Sequence, residues 1–236
     1  MPCPTILEFA NIANASYYAR EPSLANHRRV HYGQLRSGFK GSFYELANVS
    51  SPYIVIAFAG TDDDTTEQTD EGDVLADSGF AGPRVIAATT VLNRGAAMAL
   101  RAGLHRLNQQ VQGALELTRQ ALNDAGPNRP VYVTGHSLGG GLAQIVCSRM
   151  QLQGVAFNAP ATSQLNIPEI PRSRFLNVNE DSDPVSRAAG LIGNHQGRTR
   201  TVNAGVSGLK ESHQIVSLIR YMQSGRGSGL ASQTPF

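Results

Sequence analysis

Residues 131–143 read Val-Tyr-Val-Thr-Gly-His-Ser-Leu-Gly-Gly-Gly-Leu-Ala. A β-branched run closes on Gly135-His136-Ser137-Leu138-Gly139, and a small-residue helical pattern follows. This is a G-x-S-x-G between a strand and a helix, the setting its chemistry requires. The turn strains the serine backbone and lifts Oγ clear of the sheet. A β-carbon at Gly135 or Gly139 would collide with the neighbouring element. The helix that follows aims backbone N–H groups at the place where an oxyanion would form beside Ser137. The competing reading, a glycine-rich turn with an incidental serine, does not account for the strand and helix on either side.

The rest of the chain supplies the layers such an elbow needs. Ile6 to Ala19 repeats its apolar residues at helical spacing. Val30 to Ala47 reads as a hairpin with its turn near Ser37-Gly38. Tyr53 to Ala59 is almost uninterrupted apolar, as a strand buried on both faces would be. Ala96 to Ala125 is a long helix pattern stopped by Gly126-Pro127. After the elbow strand come its helix (139–152), a short strand at 155–158, a proline-marked loop, a strand at 174–178 and a terminal helix from His213 to Met222. Helices alternating with buried strands argue for an α/β fold: a mostly parallel central sheet flanked by helices, with the N-terminal hairpin as an antiparallel edge. One domain over 1–223 is expected, with a disordered Gly/Ser-rich tail over 224–236.

Composition narrows the function. The 236 residues are 41% hydrophobic and 16% charged with net charge +2, and the basic residues are scattered, which argues against nucleic-acid binding. Two cysteines, Cys3 and Cys147, are too few for a disulfide framework, and Cys147 reads as a buried small hydrophobe. No apolar run reaches the roughly 18 residues of a transmembrane span. No basic leader with a long apolar stretch opens the chain, so no cleavable signal is read. The expectation is a cytoplasmic protein, one exported by a signal-independent route, or a mature form.

A serine hydroxyl needs a base, and the base needs an orienting acid. On this kind of fold they follow the serine as acid, then histidine. His195 and His213 both lie beyond the elbow with room for an acid before them. His213 opens an apolar helix after a polar break and is favoured; His195 sits in Gly193-Asn194-His195-Gln196-Gly197, which reads as an exposed loop. Glu180, Asp181 and Asp183 follow the strand at 174–178. Asp183, stiffened by Pro184, is favoured over Asp181. The strand ending Phe58-Ala59-Gly60-Thr61 offers the Thr61 N–H as a second oxyanion donor beside that of Leu138. Chemistry of this kind runs on side chains alone, so no cofactor or metal is expected.

Together these pieces resemble the class 3, fungal-lipase-like family of the α/β-hydrolase fold over about residues 50–222. Val55 to Thr61 is similar to the family's strand ending in an aromatic, a variable residue, Gly and Thr or Ser. Gly135-His136-Ser137-Leu138-Gly139-Gly140 is similar to its G-H-S-L-G-G elbow, Phe157-Asn158-Ala159-Pro160 stands where it carries F-G-x-P, and Asn179 to Val185 resembles its turn ending in D-P-V. The resemblance implies Ser137, Asp183 and His213 as a triad, and Thr61 with Leu138 as the oxyanion hole. Ala59 departs from the usual arginine and Asn158 from glycine, and Leu92 to Ala96 lacks the His and Phe of the family's V-H-x-G-F.

Residues 61–93 would then lie over the site, as a lid or as a solvated loop. Seven of the chain's 18 acids fall between Asp62 and Asp73, without the ligand spacing of an EF-hand. An acidic mouth repels anionic lipid and favours a neutral or zwitterionic acyl ester. The expected activity is ester hydrolysis through an acyl-serine, of the lipase or phospholipase A type, with transient contact to a lipid interface. A small-ester esterase and an antibacterial phospholipase effector are variants of it. A non-catalytic binding module retaining the fold, and amide hydrolysis or acyl transfer by the same residues, are the rival classes.

Overall fold

The apolar run at 53–59 forms the strand on which the architecture turns. In a computed structural model describing residues 3–20, 24, 26–35, 37–47, 52–60 and 94–236, without the side chains of 94–101 and 189–192, it is strand β3 (Ile54–Phe58), buried along its length. Ile54, Ile56 and Phe58 enter one apolar layer, Val55 and Ala57 the other. Alternation of side chains along a strand makes one continuous apolar run serve two cores.

Among the described residues seven strands form a single sheet whose spatial order follows the chain. The hairpin β1 (His27–Gln34) and β2 (Lys40–Leu46) is antiparallel, and β2 pairs antiparallel with β3. From there β4 (Val131–His136), β5 (Gln153–Phe157), β6 (Phe175–Glu180) and β7 (Arg198–Val202) add in parallel. The sheet and its flanking helices are those of the α/β-hydrolase fold. One face is covered by helices α2 (Arg94–Ala125) and α3 (Leu138–Met150), which pack Leu107, Val111, Leu142 and Ile145 against the sheet. The other carries α1 (Ile6–Ala15) and a C-terminal helix. A capping box opens α1: the Glu8 N–H donates to Thr5 Oγ1 and the Thr5 N–H to the Glu8 carboxylate.

Three features differ from the sequence expectation. A further helix, α4 (Pro184–Ile192), and the edge strand β7 follow β6. β7 reads Arg-Thr-Arg-Thr-Val and is exposed apart from Val202, so it carries no apolar run. The helix expected from His213 begins later, as α6 (Ile215–Gln223), and His213 instead ends a short helix in the polar stretch before it, α5 (Leu209–His213); the two are parted at Gln214, whose backbone is extended at φ −62° and ψ 128°. The tail is not disordered. It forms α7 (Ser228–Ala231) and returns to the body of the protein: Gln233 accepts from the Ile6 N–H at 2.9 Å, and the Phe236 ring stacks on Tyr132 at 6.0 Å. Aromatic burial at the last residue outweighs the Gly/Ser composition before it. The lid reading falls on residues 61–93, outside those described.

The register sets up the site. Phe58 lies beside Gly135, His136 beside Phe157, and Phe157 beside Val178. The ends of β3 to β6 therefore finish level, and Gly60, Ser137, Asn158 and the turn at 180–183 share one edge.

Candidate active site

Ser137 has φ 55° and ψ −130°, a left-handed backbone that costs a non-glycine residue roughly 1–3 kcal/mol. It is held there on both sides. Its N–H donates to the Phe157 carbonyl at 3.0 Å, and its own carbonyl accepts from the Gly141 N–H at 3.1 Å. The glycines around it are steric requirements: a β-carbon on Gly139 would stand 2.0 Å from the Phe58 carbonyl oxygen, and one on Gly135 2.3 Å from that of Gly139. Gly60 is equally constrained, since a β-carbon there would meet the Ser137 Cβ at 2.9 Å. Ser137 caps α3 without making a side-chain capping bond, which leaves Oγ free for another partner.

That partner is His213. Its Nε2 lies 2.8 Å from Ser137 Oγ, and its Nδ1 lies 2.6 Å from Asp183 Oδ1. A carboxylate accepts, so Nδ1–H donates to Asp183 and Nε2 is left to accept the serine proton. Asp183 is 0% exposed and also caps α4, its Oδ2 accepting the Ser186 N–H at 2.7 Å. The dipeptide Asp183-Pro184 is itself a helix-start signal, a cap followed by proline at the first helical position. One carboxylate thus begins a helix with one oxygen and orients an imidazole with the other.

The neighbouring candidates are engaged elsewhere. Asp181 is exposed, accepting from the Ser182 hydroxyl at 3.0 Å and the Asn203 amide at 2.8 Å, and these bonds lower its pKa. His195 is half-buried, and its Nε2 donates to the Ala159 carbonyl at 2.7 Å. Burial holds its pKa below the ordinary value. Leu138, the first residue of α3, is buried, and the opening turn of a helix leaves its N–H groups without intrahelical partners. Thr61 lies outside the described residues.

Two side chains enter the site that sequence reasoning did not assign to it. His136 Nε2 is 2.6 Å from the His213 carbonyl, and its Nδ1 is 2.7 Å from the Tyr17 hydroxyl. A carbonyl only accepts, so Nε2 carries the proton and Nδ1 accepts from Tyr17. Burial, with the neighbouring His213, pushes the His136 pKa down to about 3, so the ring is neutral. Asn158 donates to the carbonyls of Ser212 and His213, each at 3.0 Å. Its signal in the sequence was the departure from glycine in Phe157-Asn158-Ala159-Pro160.

The family described as phospholipase-like, Tle-like phospholipase domain, matches residues 19–186. The chain belongs to that family. The match takes in Ser137 and Asp183 and stops short of His213. This Tle-like phospholipase domain is also 28% identical, over 199 residues, to a protein of Eremothecium gossypii whose name marks it as an inferred lipase, ATG15. A protein of the same name from Kluyveromyces lactis is 37% identical over 91 residues, 35% of this chain and 17% of its own. The chain covers 36% of the Eremothecium protein, so it spans about a third or less of the length of these curated relatives. Among solved structures, lipase II from Rhizopus niveus matches at a TM-score of 0.52 and 15% identity, over 88% of this chain and 80% of that one. The lipase of Rhizopus microsporus var. chinensis matches at 0.50 and 15%, over 83% and 72%. At such identity the likeness is one of fold.

Proposed function

We propose that this Tle-like phospholipase domain is a serine ester hydrolase that cleaves acyl esters of lipids. The observation that carries the reading is the unbroken hydrogen-bond chain Ser137 Oγ–His213–Asp183, at 2.8 and 2.6 Å. His213 Nε2 takes the hydroxyl proton as Ser137 Oγ attacks the acyl carbon. The carbonyl π electrons move to oxygen, and the oxyanion is met by the Leu138 N–H and, on the sequence reading, by that of Thr61. One such donor is worth about 3 kcal/mol of barrier. Collapse expels the alcohol, which takes the proton from His213 and leaves an acyl-serine. A water then attacks with His213 again as base, releasing the fatty acid and restoring Ser137. Asp183 holds the imidazole tautomer throughout.

Membership of a phospholipase-like family favours a phospholipid acyl ester over a small soluble one. Leu209, 70% exposed at the start of the short helix that ends in His213, supports transient contact with a lipid interface. Among the described residues no helix is long and apolar enough to cross a membrane. The test is labelling by a fluorophosphonate, followed by turnover of phospholipids, glycerides and p-nitrophenyl esters with Ser137→Ala as control. Labelling and hydrolysis lost together in the variant support the reading; a wild-type protein that neither labels nor hydrolyses any ester sinks it in favour of a non-catalytic module.

A further inference from the structure

Asn158 closes β5 with φ 45°, a left-handed backbone that asparagine tolerates better than most residues. It is fully buried, and its carboxamide reaches three segments at once. Nδ2 donates to the carbonyls of Ser212 and His213, at 3.0 Å each, while Oδ1 accepts the Glu180 N–H at 2.8 Å. Two carbonyls can only accept and an amide N–H can only donate, so the partners themselves fix which end of the carboxamide is which. Its main-chain N–H is anchored on the Val178 carbonyl at 3.1 Å.

The geometry points to Asn158 as a positioning residue of the hydrolytic site: its carboxamide ties the turn bearing Asp183 to the turn bearing His213 and so sets the imidazole on Ser137. This rests on the serine-hydrolase reading above. The break at Gln214 is what makes the clamp available. The Ser217 N–H bonds to the Gln214 carbonyl, and the His213 carbonyl is released to accept from Asn158 and from His136. His213 ends a helix of five residues, too short to hold a direction by itself. Its ring must nevertheless satisfy bonds of 2.6 and 2.8 Å to two different elements. Asn158 supplies the missing constraint by gripping the base-bearing turn and the entrance to the acid turn through one rigid planar group. His136, itself held by Tyr17 from the turn after α1, grips the same carbonyl from the elbow side.

Asn158→Gly and Asn158→Asp separate this role from a merely structural one. Glycine keeps the left-handed backbone and removes the clamp. Aspartate keeps the Oδ1 acceptor and turns an oxygen on two carbonyls in place of the donor. With p-nitrophenyl esters, and rates expressed per fluorophosphonate-titrated serine, Asn158→Gly is expected to lower kcat roughly 100-fold with KM within about twofold, alongside a lower melting temperature from the buried hydrogen bonds it removes. Asn158→Asp is expected to lose more. The downfield proton resonance of His213 Nδ1–H, assigned by its loss in Asp183→Asn, should broaden or vanish in both. Wild-type kcat per titrated serine in both variants, or a fall in melting temperature with kcat and the resonance intact, overturns the proposal. A wild-type protein that ignores the fluorophosphonate while its Nδ1–H resonance still responds to Asn158→Gly leaves the clamp standing and removes the hydrolase reading. Labelling and turnover unaffected by either substitution does the reverse.

Discussion

The segments on either side of β7 each carry one histidine, and they use it in opposite ways. Before β7, His195 spends Nε2 on the main-chain carbonyl of Ala159. After β7, His213 meets side chains with both nitrogens, Ser137 at 2.8 Å and Asp183 at 2.6 Å. A ring whose Nε2–H is given to a carbonyl is fixed as a neutral donor and has no lone pair there for a serine proton. A ring whose Nδ1–H is given to a carboxylate keeps Nε2 as the acceptor. His136 belongs with His195 in this respect although it adjoins Ser137 in the chain: its Nε2 donates to a carbonyl as well. Partners, more than proximity, divide the histidine that can act as a base from those that hold the framework.

The comparison breaks most sharply by substitution. His213→Ala is expected to lower kcat by roughly 10⁴ or more, while His195→Ala leaves it within about threefold. Equal losses from the two would abolish the distinction drawn here. The acid turn offers the same contrast one step down. Asp183→Asn presents the wrong partner to Nδ1 and should cost on the order of 10⁴ in kcat, whereas Asp181→Asn, on an exposed side chain bonded to Asn203, should change it less than about twofold. A large effect at Asp181 would reassign the acid.

Stability against pH sharpens the framework half. His136 titrates near 6.5 when unfolded and near 3 when folded, because burial disfavours its charged form. Below pH 6.5 the unfolded chain therefore binds more protons than the folded one. Stability that is complete above 6.5 falls as pH drops toward 3, by roughly 1.4 kcal/mol per pH unit for this group. His27 and His195, also lowered by burial, act in the same direction. Urea titrations between pH 7 and 4 should show the slope, and His136→Asn should flatten it; an unchanged slope in that variant would assign the acid sensitivity to other groups. The smallest effect concerns His195 itself. Its removal leaves the Ala159 carbonyl without that donor, an expected loss of about 1–2 kcal/mol in the same titration.

Much of the fold was legible because the sheet interior writes long apolar runs. The 53–59 stretch and the elbow strand lie where the sheet faces two cores, and both are rich in β-branched residues. Ser137 was legible because Gly135 and Gly139 are there for steric reasons that no other residue satisfies. His213 and Asp183 followed from chain order, and the structure brings both within hydrogen-bond reach of that serine's chain. What escaped has a common physical cause. β7 is an exposed edge and needs no apolar pattern. The short helix α5 lies in the polar stretch before Ile215, where no apolar periodicity marks it, and its end at His213 accompanies the bonds that the His213 carbonyl accepts from Asn158 and His136. His136 and Asn158 are buried polar residues and Tyr17 a half-buried one, and their partners are 119 residues away for Tyr17 with His136 and 55 for Asn158 with His213. Local sequence carries no trace of such pairings. The disorder expected from Ser224 onward rested on composition alone, and Phe236 against Tyr132 supersedes it.

The agreement between strand order in space and strand order in the chain has a kinetic consequence. A polypeptide leaving the ribosome N-terminus first can lay each new strand beside one already in place, and no gap has to be kept open for a later arrival. The proposed nucleophile is then built early, at the end of β4, and the acid after β6. The base comes last, past β7. A nascent chain halted before residue 213 would hold a folded elbow with a silent serine. Fluorophosphonate labelling of stalled chains of increasing length should switch on only once His213 has cleared the exit tunnel, so that on the proposed reading synthesis itself times the arming of the serine.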